Sequence, residues 1–157
     1  MKKSKRAKNR EIGLRFQRWI RKYLIEEGWD CVNIPPRSFP VRPKNKKEPL
    51  KFVSLRNDIF GCDLIARKKT AVGFKELWIQ ATTDSHVDRK LKKIAEHPLP
   101  FSSEVVDTQI WVKAEKVVNI FQVTQDEKGE LKADLIAKII RGKKYELANC
   151  ANEKKVT

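Results

Sequence analysis

Two short apolar segments close together in sequence constrain this chain most: Asp63-Leu64-Ile65-Ala66-Arg67-Lys68 and Leu77-Trp78-Ile79-Gln80-Ala81-Thr82. Short apolar runs bounded by turn residues read as strands. Thr70-Ala71-Val72-Gly73 lies between them, and Gly73 suits a turn that needs positive φ. Side chains alternate across a strand, so Ile79 and Ala81 face one side while Trp78, Gln80 and Thr82 face the other. Paired side by side, the two strands hold Asp63 and Gln80 at one end of a sheet, within reach of a shared ion.

The flanking segments give the sheet its partners. Ile12, Phe16, Trp19, Ile20, Tyr23 and Leu24 recur at helical spacing and predict a helix over residues 9–28, with Asn9 as its cap and Gly28 as its stop. Gln17 falls at the margin of that apolar stripe, half shielded and aimed at the sheet. Residues 30–34 read as a short strand stopped by Pro35-Pro36. The following stretch carries Pro40, Pro43 and Pro49 among many cations, and proline excludes a central strand or a helix interior. It reads as a long basic loop, 37–56 at its widest. A second helix is expected over 84–96, capped by Thr83, Asp84 or Ser85, with Val87, Leu91 and Ile94 as its buried row. Strands follow at 109–113 and 117–124. Residues 131–140, after a turn at Asp126–Glu130, fit either strand or helix. The expected class is α/β, with a mixed central β-sheet flanked by helices. One domain spans 9–148, between a basic arm at 1–8 and a polar tail at 149–157.

Charge narrows the partner. Thirty-five Lys and Arg against 20 Asp and Glu give a formal net charge of +15. A small domain with this surplus repels itself unless it meets a polyanion, and nucleic acid is the general case through phosphate neutralisation and counterion release. Arg37, Arg42, Lys44, Lys46 and Lys47 on the long loop, with Arg89 and Lys93 on the second helix, are the expected nucleic-acid contacts. Cys31, Cys62 and Cys150 are widely spaced and odd in number, which argues against a zinc site or a disulfide framework. No apolar stretch follows the basic N-terminus as in a signal peptide, and none has the length of a membrane span. The expectation is a soluble cytoplasmic protein, associated with the nucleoid and not with a membrane.

Gly13-Leu14-Arg15-Phe16-Gln17, then Glu26-Glu27-Gly28-Trp29-Asp30-Cys31-Val32-Asn33-Ile34-Pro35, then Asp63-Leu64-Ile65-Ala66, then Leu77–Thr82, then Arg89-Lys90-Leu91-Lys92-Lys93-Ile94 form an ordered set. This set resembles the PD-(D/E)XK nuclease superfamily, and within it the archaeal-type Holliday junction resolvases. The likeness implies a restriction-endonuclease-like core, phosphodiester hydrolysis with Mg²⁺ or Mn²⁺, branched DNA as substrate and a homodimer, with the β-rich segment after Gln109 as the dimer surface. The departures are specific. The family's helix glutamate falls on Gln17, its strand glutamate on Gln80 and its lysine on Thr82, so Asp63 alone keeps a catalytic carboxylate position. Some branches resemble this chain in a Gln-x-Thr-like motif preceded by Asp-x-Phe-Gly-x-Asp, which Asp58-Ile59-Phe60-Gly61-Cys62-Asp63 fits.

The implied chemistry assigns roles. Asp63 is the primary metal ligand, the Gln80 carbonyl adds an uncharged oxygen, and Asp58 restores a negative charge if its loop folds back. Each Glu-to-Gln exchange removes a charge that would hold the cation. Lys90 borders the buried row of the second helix and is a candidate to stand in for the missing lysine, with Lys93 as a second; the competing reading for both is ordinary phosphate contact on a basic helix. The competing expectation is a catalytically degenerate module that binds nucleic acid without cutting it.

Overall fold

The computed structural model describes residues 5–34, 37–41, 51–55, 61–83, 85–97, 104–140 and 147–149. Helix α1 spans Lys5–Glu26. It begins before Asn9, so Asn9 is an interior residue and not the cap; Lys, Arg and Ala are good helix formers and carry the helix back into the basic arm. Its exit follows from Gly28. With φ at 80°, Gly28 lets Trp29 N–H reach Leu24 C=O at 2.8 Å and its own N–H reach Ile25 C=O at 3.0 Å. Those two bonds satisfy carbonyls that a helix end otherwise leaves open.

Strands β1 (Asp30–Asn33), β2 (Arg37–Val41), β3 (Lys51–Leu55), β4 (Leu64–Thr70) and β5 (Gly73–Thr82) come next. Helix α2 (Val87–Ala95) then leads to β6 (Val106–Lys113), β7 (Val117–Gln125), β8 (Leu131–Ile140) and β9 (Leu147–Asn149). Seven strands form one sheet in the order β1-β4-β5-β6-β7-β8-β9. All neighbours are antiparallel except β5 and β6, which run parallel and are joined through α2. A parallel pair needs such a crossover, whereas β4 to β5 and β6 through β8 are joined by turns, and β1 reaches β4 through the segment that holds β2 and β3. The class is therefore α/β with a mixed sheet.

Three expectations change. The stretch read as one basic loop is paired at both ends, since β2 and β3 make a separate two-stranded antiparallel ladder. Pro40 is accommodated there opposite Phe52 because each strand of an isolated pair is an edge. Residues 131–140 are strand along their whole length: the β7–β8 ladder, with a register shift between Ile120 and Phe121, decides against the helical period. The cap of α2 is His86, which makes no side-chain cap bond, in place of Thr83, Asp84 or Ser85.

The sheet has two differently covered faces. On one, Phe16, Ile20, Tyr23 and Leu24 of α1 pack against Leu64, Ala66, Leu77, Ile79, Trp111, Val118, Ile120 and Ile139. Phe16, Trp19 and Tyr23 stack in sequence, and Tyr23 meets Trp111 edge-on. Each fully buried aliphatic there contributes about 2 kcal/mol by removal from water. Ile12, read as part of this stripe, is exposed. On the other face, Ile94 of α2 packs with Ile110, Val112 and Val123, flanked by Val87, Leu91, Phe121 and Leu131. Among the described residues, no helix is long and apolar enough to cross a membrane.

Candidate active site

Asp63 sits one residue before β4, and its backbone is fixed from both sides. Its N–H donates to Ile79 C=O at 2.8 Å, and its C=O accepts from Ile34 N–H at 3.0 Å. The carboxylate is therefore aimed by the first rung of the sheet. Its Oδ2 accepts the Ala81 backbone N–H at 3.0 Å and the Gln80 Nε2 at 2.5 Å. Gln80 is almost fully buried, as is Thr82 two residues on, and alternation puts both on the face that α2 covers. The remaining oxygen of Gln80, Oε1, accepts from Lys93 Nζ at 3.3 Å. A continuous chain of side chains thus runs from an ammonium on α2, through a buried amide, to a carboxylate at the sheet end.

The approach of α2 to this point depends on Gly61. Its φ is 76°, and a Cβ added there would lie 3.2 Å from Lys93 O and 3.4 Å from Ile94 Cα. Only glycine lets the turn before Asp63 lie against the last turn of α2, in a conformation that an L side chain rarely adopts. One close contact therefore sets the distance between the carboxylate's turn and the helix that bears Lys93.

The structure brings together Asp63, Gln80 and Lys93, and places Thr82 buried on the same face two residues beyond Gln80. Lys93, expected as a phosphate contact and as the second stand-in for the missing lysine, is the lysine placed against Gln80. Lys90 is half-buried on the same helix and Arg89 is exposed. Gln17 is half-buried on α1, over the opposite face, and among the described residues no hydrogen bond joins it to the cluster. Asp58, Arg42, Lys44, Lys46 and Lys47 lie outside the described residues, as does the side chain of Arg37. Two contributors escaped sequence reasoning. The Ala81 N–H carries no side-chain signal, and Gly61 was visible as a glycine but its contact with α2 was not.

Chemically, the cluster offers one carboxylate, one amide and one ammonium. Among the described residues, no three His, Cys, Asp or Glu side chains gather as a metal site. A divalent cation prefers several oxygens with negative charge among them. The Gln80 amide turns its NH₂, not its oxygen, toward Asp63. These residues alone do not fit a resident Mg²⁺.

Comparisons of the chain with protein-family models, curated proteins and solved structures return no match.

Proposed function

We propose that this chain is a DNA-binding protein built on a nuclease-type core of the PD-(D/E)XK kind, acting as an endodeoxyribonuclease on structured or branched DNA. The observation that carries this proposal is the convergence of Asp63, Gln80 and Lys93 at one end of the β4–β5 hairpin, with buried Thr82 on the same strand face. The antiparallel β1-β4-β5 group, followed by a helical crossover to parallel β6, supports it. So does the net charge of +15.

Within this proposal Asp63 is the acidic centre, held in one orientation by Ala81 N–H and Gln80. Lys93 supplies positive charge where a phosphate would accumulate negative charge in the transition state. Gln80 links the two and fixes their separation. Mg²⁺ or Mn²⁺, which the resemblance implies, requires oxygens beyond the described residues, from Asp58 or from DNA itself. A homodimer belongs to the proposal because branched DNA presents two strands to cut. Leu135, Ile136 and Ile140 on β8 are exposed apolar side chains suited to that interface.

A second reading has its own supporting observation. In the Lys93–Gln80–Asp63 chain the carboxylate is hydrogen-bonded and an ammonium is linked to it through the amide. That is the arrangement of a module that keeps the architecture and charge and binds nucleic acid without cutting. Cleavage of a labelled four-way junction and a matched linear duplex, with Mg²⁺, Mn²⁺ or EDTA, separates the two. The nuclease proposal expects metal-dependent products that vanish in Asp63→Ala while binding persists. Tight junction binding with no products in either metal would replace it with the second reading.

A further inference from the structure

The face of the sheet that holds Asp63 and Gln80 continues away from them along β4 and β5. Its cross-strand pairs are Ile65 with Trp78, Arg67 with Glu76, and Lys69 with Phe74. Helix α2 packs toward β6 and β8, so its apolar core does not include this end of the face. Phe74 is 46% exposed. The Arg67 guanidinium lies over the Phe74 ring, 4.5 Å from its centroid.

That guanidinium is held in place. Glu76, itself nearly buried, takes hydrogen bonds from Arg67 Nε at 2.8 Å and from Nη2, and also accepts the Trp78 indole N–H at 3.1 Å. One carboxylate thereby orients a cation and an indole on the same face. The Arg67 side chain remains 60% exposed, so its guanidinium is open to solvent beside the ring. A buried acid, a fixed planar cation stacked on an aromatic ring, and a half-buried tryptophan make a preorganised surface with planar groups. Exposed Lys69 adds charge beside it.

We propose that Phe74, Arg67 and Trp78, oriented by Glu76, form a stacking platform for unpaired bases of a single-stranded nucleic acid leading away from the Asp63–Gln80 site. This rests on the nucleic-acid-binding proposal above and deepens it by naming the substrate element. Single-strand sites pair cationic side chains with planar groups on which bases stack, and every base has a π face, so the contact tolerates any sequence. Phe74 lies six residues along β5 from Gln80, which at strand rise is about 20 Å. The strand engaged is therefore the displaced or unpaired arm beside the junction, not the base pairs over the site.

Equilibrium binding of a fluorescent single-stranded oligonucleotide and a matched duplex to the full chain, at one fixed salt, provides the test. Phe74→Ala and Arg67→Lys are each expected to weaken single-strand binding about tenfold and duplex binding less than twofold. Arg67→Lys keeps the charge and loses the plane, so its salt dependence should match wild type. Phe74→Leu keeps apolar bulk without a ring and serves if Phe74→Ala fails to fold. Wild-type single-strand affinity in Arg67→Lys and Phe74→Leu would overturn the platform while leaving the nucleic-acid proposal standing. Equal losses on duplex and single strand would also overturn it, by showing general phosphate attraction. No binding of either probe by wild type would remove both proposals together.

Discussion

The two faces of the sheet are built from the same strands but for different ends. Under α1 the face is mainly apolar, with stacked aromatics and fully buried Ile20, Leu64, Ile79 and Ile139, and its buried Gln109 is hydrogen-bonded to Trp111 and Gln122. Under α2 a smaller apolar core of Ile94, Ile110, Val112 and Val123 adjoins buried Gln80 and Thr82 and the ammonium of Lys93. Burying a polar group costs free energy unless each of its hydrogen bonds is remade. The first face supplies the stability that allows the second to carry polar groups. Strand alternation keeps them apart, because residues 79 and 80 can never share a side.

The sharpest way to break this comparison is Ile20→Ala on the α1 face. It should cost about 3 kcal/mol, read as a fall in chemical-denaturation midpoint with unchanged slope. The proposed nucleic-acid binding, measured well below the new melting temperature, should survive. If binding is lost in step with stability, the faces do not divide their labour.

Gly61→Ala is next, at about 2 kcal/mol from the left-handed backbone and the contact with the Lys93 carbonyl. Unlike Ile20→Ala, it should disturb the site as well, because the last turn of α2 must shift. Gly61→Asn should recover part of the backbone term, since Asn tolerates positive φ. Equal stability of all three proteins would show that the turn before Asp63 can move away from α2 freely.

A double-mutant cycle of Lys93→Met with Gln80→Leu sharpens the polar face itself. A coupling of about 1 kcal/mol is expected if the amide carbonyl depends on the ammonium. Additivity would mean that the two merely lie near each other.

The last test is alkali. Burial on the α1 face raises the Cys31 thiol from its ordinary 9.0 to about 11. Between those values the unfolded chain releases a proton that the folded one keeps, so stability declines as pH rises from about 9 to about 11. Cys31→Ala should flatten melting temperature against pH in that window alone. An unchanged slope would place the alkaline sensitivity elsewhere.

Local patterns made much of this legible. The α1 stripe, the stop at Gly28, the β4–β5 hairpin, and the opposite facing of Ile79 and Gln80 each follow from neighbours in sequence. What sequence did not yield depends on contacts between distant segments. Residues 131–140 fit two periods until β7 chose one. Prolines hid the β2–β3 pairing because an isolated pair tolerates them. Lys90 and Lys93 both suited the site by position, and only the packing angle of α2 placed one against Gln80. Alternation along β5 puts Phe74, Glu76 and Trp78 on one face, but Arg67 joins them only through the β4–β5 register.

The single parallel junction, between β5 and β6, has a consequence for the order of folding. The β4–β5 hairpin closes a short loop, and so do the ladders from β6 through β8; joining the halves requires the whole α2 crossover to dock. Asp63 and Gln80 are thus expected to meet as the hairpin zips, before the sheet is complete. Lys93 arrives only with the crossover. On this topology the ammonium is expected to be the last member of the site installed and the first withdrawn when the chain opens at this seam. Faster hydrogen exchange along α2 than in the β4–β5 hairpin would report that order.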